Sequence, residues 1–170
     1  MARIVQLWRS DELSLHRFDH PPEHEDRPYE STAVAFAASF VERGTFDLFT
    51  KERDCRVAAG DVFLRHPGMR FRAAFAGEGF SDTCLTLTYL AADAERFDAA
   101  QSWAQAHRPV LRANNRLRYL CWTLQRALER RTPMLIEDCA AQLFREHDQP
   151  RSRLFGEHKL AWYAERVHAV

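Results

Sequence analysis

The stretch TAVAFAASFVERG (residues 32–44) constrains the fold more than any other part of the chain. Its alternation puts Val34, Phe36, Ala38 and Phe40 on one side of an extended strand and Ala35, Ala37, Ser39 and Val41 on the other. A strand with one face in water alternates apolar with polar, so a segment apolar on both faces must be covered twice. The phenylalanine-bearing face predicts packing against helices or a second sheet. The small-residue face, with Ser39 on it, predicts a barrel interior with room left for a ligand.

The neighbouring segments supply the rest of such a barrel. IVQLW (4–8) and LSLHRF (13–18) flank a polar SDE turn and read as a hairpin, and residues 19–31 read as a Pro- and charge-rich loop. TFDLFT (45–50), the stretch CRVAAGDVFLRHPG (55–68), MRFRAAF (69–75) and CLTLTYL (84–90) follow as short strands. Turn signals recur about every ten residues, the pattern of an all-β sandwich or barrel. Within AAGDVFLRHPG, His66 falls on the strand parity of Val62 and Leu64.

After Leu90 the apolar period changes. Asn114 and Asn115 predict a helix cap, with a helix to about Arg131 whose Leu117, Cys121, Leu124 and Leu128 repeat at steps of four and three. That seam suits a helix pair. Thr132 and Pro133 open a second helix to about His147, with a broad stripe of Leu135, Ile136, Cys139, Ala140, Leu143 and Phe144. HKLAWYAERVHAV (158–170) begins a third.

Charge narrows the function classes. Twenty-four basic residues balance twenty-four acidic ones, so no global field draws the chain to nucleic acid or an anionic membrane. No signal-peptide pattern and no long apolar run is present, which predicts a cytoplasmic protein without membrane contact. Cys55, Cys84, Cys121 and Cys139 lie far apart with no CxxC pair, which predicts reduced thiols rather than a zinc or disulfide framework.

Several residues have chemistry to offer. His16, His20 and His24, with Glu23, Glu25 and Asp26, have metal-ligand character, although Pro21 and Pro22 interrupt any regular spacing. Cys84 lies two residues from Asp82 on a strand. Arg43 ends the doubly apolar strand just before Gly44, where a guanidinium could clamp a carboxylate or hydroxyls. Phe71 and Arg72 follow the Pro67–Gly68 turn, where they could line a pocket mouth. There is no GxSxG, Walker A or GxGxxG motif.

The order of Glu42-Arg43-Gly44 after a long strand, then Ala59-Gly60-Asp61, then Pro67-Gly68, then a helical hairpin, resembles the N-terminal cupin-like sensor domain of AraC-type transcriptional regulators. The resemblance implies an α+β fold: a cupin-like β-barrel or sandwich over residues 1–92, a helical dimerisation subdomain over 93–155, and the start of a linker helix at 156–170. It implies a small-molecule effector held by Arg43, Ser39, His66, Phe71, Arg72 and Cys84. It further implies a homodimer formed through Leu117, Cys121, Leu124 and Leu128. DNA would be reached only through a C-terminal domain absent from this chain. The metal-binding cupins' HxH pattern does not occur in AVAFAASFVERG, and Phe71 or Arg72 stands where a later histidine would fall. The resemblance therefore implies no metal, no cofactor and no catalysis. The rival expectation is a metal-dependent cupin enzyme, of dioxygenase or isomerase type, using His20, His24 and His66.

Overall fold

The computed structural model describes residues 3–20, 29–51, 53–74, 81–90 and 109–145. The predicted hairpin forms: β1 (Arg3–Arg9) pairs antiparallel with β2 (Leu13–His20). Then come β3 (Tyr29–Thr32), β4 (Ala37–Arg43), β5 (Thr45–Thr50), β6 (Asp54–Ala58), β7 (Val62–Arg65), β8 (Arg70–Ala74), β9 (Asp82–Tyr89) and β10 (Val110–Leu111). Two helices close the described chain, α1 (Asn115–Arg130) and α2 (Pro133–Arg145).

The strands form two antiparallel sheets, ordered β1-β2-β9-β4-β7-β10 and β3-β8-β5-β6. They face each other across a cluster built from both: Val41, Phe63 and Cys84 on the larger sheet, with Leu48, Val57 and Phe71 on the smaller. The outer face of the larger sheet carries Leu15, Ala38, Phe40, Leu85 and Leu87, which pack with Leu117, Leu120, Leu124, Ile136 and Leu143 of the helices. This is a cupin-like β-sandwich with two C-terminal helices laid on one sheet. β4 is covered twice, as its composition demands.

Two expectations about strand limits are corrected. The segment 32–44 is not one strand. Thr32 ends β3 in the smaller sheet, β4 starts only at Ala37 in the larger one, and Val34 between them is 92% exposed. The chain crosses between sheets there, and Ala33 anchors the crossing through N–H to Met69 O and O to Gly68 N–H. The loop expected over 19–31 is likewise too long, since β2 runs to His20 and β3 begins at Tyr29.

Local chemistry fixes the joints. Gly44 has φ +84, and a Cβ there would lie 1.8 Å from the Ser81 carbonyl oxygen, so only glycine fits. Asp61, 5% exposed, accepts hydrogen bonds from Ala58 N–H, Ala113 N–H and Arg112 Nη1 at 3.1, 2.8 and 2.8 Å. It thereby ties the β6–β7 turn to the residues leading into α1. The Asn114 side chain accepts from Leu117 N–H at 2.9 Å and caps α1 as expected. Arg131 ends the helix in the left-handed region and donates its N–H to Ala127 and Leu128 carbonyls. The third helix expected over 158–170, and with it the linker segment, lies outside the described residues. No helix among the described residues is long and apolar enough to cross a membrane.

Candidate functional site

Strand parity determines which side chains look into the sandwich. On β7, Val62 and Leu64 turn toward the helices while Phe63 joins the inner cluster, so Arg65 shares the inner parity. On β4 the inner residues are Ala37, Ser39 and Val41, and on β9 they are Asp82, Cys84 and Thr86. His16, Phe18 and His20 of β2 pair in register with Thr86, Cys84 and Asp82.

One polar row crosses this inner face. Ser39 and Thr86, 6% and 2% exposed, share a hydroxyl hydrogen bond of 2.8 Å. Arg65 Nη2 donates to Ser39 Oγ at 2.9 Å. The Arg65 guanidinium also lies 5.6 Å from the Phe63 ring centre and 5.9 Å from that of Phe71. Aromatic contacts on a guanidinium restrict its orientation. His16 stands opposite Thr86, and its ring packs edge-on to Phe18 at 6.4 Å. Burial, aided by the positive charge of Arg9, lowers its pKa below 6.5. It is a neutral imidazole at neutral pH, able to donate from one nitrogen and accept at the other.

Further along β9, Asp82 is 3% exposed and accepts from the Cys84 thiol at 3.0 Å, with His20 Nδ1 at 2.8 Å from its other oxygen. Desolvation and the adjacent carboxylate push the Cys84 thiol well above its ordinary range. Cys84 is therefore a protonated donor to Asp82 and not a nucleophile.

The six residues expected to bind a ligand divide evenly. Ser39, Phe71 and Cys84 are in the sandwich interior. Arg43, Arg72 and His66 are not. Arg43 is exposed and borders a cleft outside the larger sheet with Arg17, Asp19, Glu42 and Gln125. The bulge between Val41 and Arg43 on β4 displaces it from the inner parity. Arg72 stands on the outer face of the smaller sheet, 4.2 Å above Phe49. β7 ends at Arg65, so His66 lies past the strand, and the parity it would share with Val62 and Leu64 points to the helices in any case; its Nδ1 contacts the Pro67 carbonyl at 3.0 Å.

Arg65, which the inner row brings to the interior, is a residue that sequence reasoning did not single out. Its signal was available: if Val62 and Leu64 face one layer, Phe63 and Arg65 face the other. For the rival metal site, His24 lies outside the described residues, His66 sits in its turn and His20 is engaged with Asp82. The inner face of β4 offers methyl groups and one hydroxyl, and no group of three metal-ligating side chains gathers among the described residues.

The seam residues of α1 face inward. Leu117 and Leu124 are 3% and 1% exposed, and Cys121 and Leu128 pack against the same cluster, so the chain's own sheet occupies this stripe. Among the described residues, the large apolar side chains exposed on the helices are Tyr119, Trp122 and Met134. Glu42 joins sheet to helix: its carboxylate receives Arg17 Nε at 3.3 Å and Gln125 Nε2 at 2.5 Å.

A family model described as AraC-like ligand binding domain matches residues 18–162. No curated protein gives a significant match. Among solved structures, similar chains include the Clostridium difficile EutQ protein, at 14% identity over 52% of this chain and 67% of that one, with TM-score 0.43. A cupin superfamily protein from Desulfitobacterium hafniense has 14% identity over 54% and 79%, with TM-score 0.44. The polyketide cyclase RemF from Streptomyces resistomycificus has 15% over 53% and 66%, with TM-score 0.45.

The chain belongs to the AraC-like ligand-binding domain family, whose model spans most of its length.

Proposed function

We propose that this member of the AraC-like ligand-binding family is the effector-binding and dimerisation part of a transcriptional regulator, and that it binds its effector without transforming it. The observation that carries the reading is the inner polar row Arg65, Ser39 and Thr86, set against Phe63 and Phe71. A partly enclosed guanidinium beside two hydroxyls and an aromatic wall suits a small molecule with a carboxylate or several hydroxyls and one apolar face. Cys84 as a protonated donor to Asp82 supports binding over covalent chemistry.

β4 carries Ser39 on its inner face and, three residues on, Glu42 in contact with Gln125 of α1. An effector that pulls on Ser39 would thus bias the position of α1, the coupling a sensor needs. Because Leu117 and Leu124 are used within the chain, the homodimer would form through the outward face of α1, where Tyr119 and Trp122 are 60% and 52% exposed. DNA would be met by a separate domain.

A thermal-shift screen of small carboxylates, sugars and aromatic acids against wild type and Arg65→Gln tests the reading. Compounds that stabilise wild type should stabilise Arg65→Gln far less. Hits of equal strength on both proteins, or a hit converted to a product, would overturn it.

A further inference from the structure

A groove of about 600 Å³ crosses the ends of β3, β8 and β5, lined mainly by the outer-facing side chains of the smaller sheet and reaching Phe71. Phe71 and Ala73 of β8 belong to the inner cluster, so Arg70 and Arg72 take the outer parity. In register beside them stand Thr32 and Glu30 of β3, with Phe49 of β5 opposite Arg72. Lys51, immediately after β5, lines the same groove.

Elsewhere on this face charge is matched across strands. Arg56 of β6 gives Asp47 of β5 a two-pronged contact at 2.9 and 3.2 Å. Among the described residues of the groove that balance fails: Arg70, Arg72 and Lys51 meet one carboxylate, Glu30. Glu30 lies opposite Arg72 in register, yet the ion pairs found among the described residues include neither of them, nor Arg70 or Lys51. Arg72 Cζ instead lies over Phe49, 4.2 Å from its ring centre. Three basic side chains gathered beside one carboxylate favour the approach of an anion. The Arg72 guanidinium carries an N–H fork that suits an oxyanion, Lys51 adds a compact charge, and Thr32 and Thr50 line the same space.

We infer that this groove is a second binding site, distinct from the inner row of Arg65, Ser39 and Thr86, for a small molecule bearing an oxyanion. The shared chemistry is a phosphate or a carboxylate group. It is read by the fork of Arg72 together with Arg70 and Lys51.

The test is an amide-resolved NMR titration of the chain with inorganic phosphate, and separately with acetate, at low and constant ionic strength. Saturable shifts confined to residues 30–32, 49–51 and 70–72 are expected. Binding should weaken about tenfold or more in Arg70→Ala and in Arg72→Lys, which keeps the charge but loses the fork. Arg3→Gln, an exposed arginine of the other sheet, should bind as wild type. Circular dichroism checks each variant, and Lys51→Ala replaces any that fails to fold. Response to phosphate alone, to acetate alone or to both assigns the oxyanion within the proposal. No saturation with either anion, or equal weakening by Arg3→Gln, would reduce the groove to ordinary surface charge and overturn it.

Discussion

Replacing Asp61 with alanine removes three hydrogen bonds at the joint between the sandwich and α1. The Ala58 and Ala113 N–H groups lose an acceptor at 3.1 and 2.8 Å, and Arg112 Nη1 loses one at 2.8 Å. Hydrogen bonds to a charged partner contribute about 1.5–3 kcal/mol each when buried. The Arg112 side chain is 59% exposed and keeps its bond to the Arg56 carbonyl, so its share is discounted to under about 1 kcal/mol. The two backbone donors dominate, and water reaches part of the vacated space, which brings the expected loss to about 3 kcal/mol. In a domain of this size that lowers the thermal midpoint by roughly 6–12 °C. Urea denaturation measures the loss, and hydrogen exchange locates it: amides at 113–120 should exchange faster than those of β2 and β9. Asp61→Asn keeps one acceptor oxygen and should fall between wild type and Asp61→Ala. A loss below about 1 kcal/mol, or exchange raised uniformly, would refute the view that Asp61 fastens α1 to the barrel.

Gly44→Ala forces a Cβ to within 1.8 Å of a backbone oxygen at positive φ, and should cost more than about 3 kcal/mol or abolish folding; a stability like wild type by urea melt would contradict the turn geometry. Trp122→Glu should give a folded monomer by sedimentation, whereas Leu124→Glu, placing a charge at a 1% exposed site, should unfold the chain. For His16, whose pKa is lowered in the fold, the unfolded state binds more protons at acid pH. Stability should therefore fall as pH drops below about 6.5 and level off beneath the folded pKa. Comparing denaturation midpoints of wild type and His16→Gln at pH 7.5 and 5 isolates this contribution, which should vanish in the variant. Burial pushes the Cys121 and Cys139 thiols up to about 11, so a thiol reagent at pH 8 should label them slowly until urea is added.

The division into strands and then helices was legible because hydrophobic period survives without knowledge of contacts, and the doubly apolar β4 announced its two covering layers. The sheet crossing at Val34 was not legible. Apolar parity continues straight through it, and only the pairing of β3 with β8 rather than with β7 shows the break. The small face of β4 placed Ser39 on the inner side of the larger sheet, where it lies buried. Arg43 failed as an interior residue because a bulge shifts parity by one step, which composition does not record. Arg65 was passed over for its neighbour: His66 attracted attention for its chemistry, while strand parity already put Arg65 with Phe63 on the inner side. The α1 seam shows a similar ambiguity, since a heptad-like stripe serves a partner helix or the chain's own sheet equally well.

The central claim is that the effector is read inside the sandwich by Arg65, Ser39 and Thr86. The most direct measurement is an amide and side-chain NMR map of the chain titrated with the strongest compound from the thermal-shift screen. The account predicts saturable shifts at Ser39, Phe63, Arg65 and Thr86, propagated through Glu42 to Gln125, and their loss in Arg65→Gln. Shifts confined to the outer surface, with the interior residues unmoved, would contradict it.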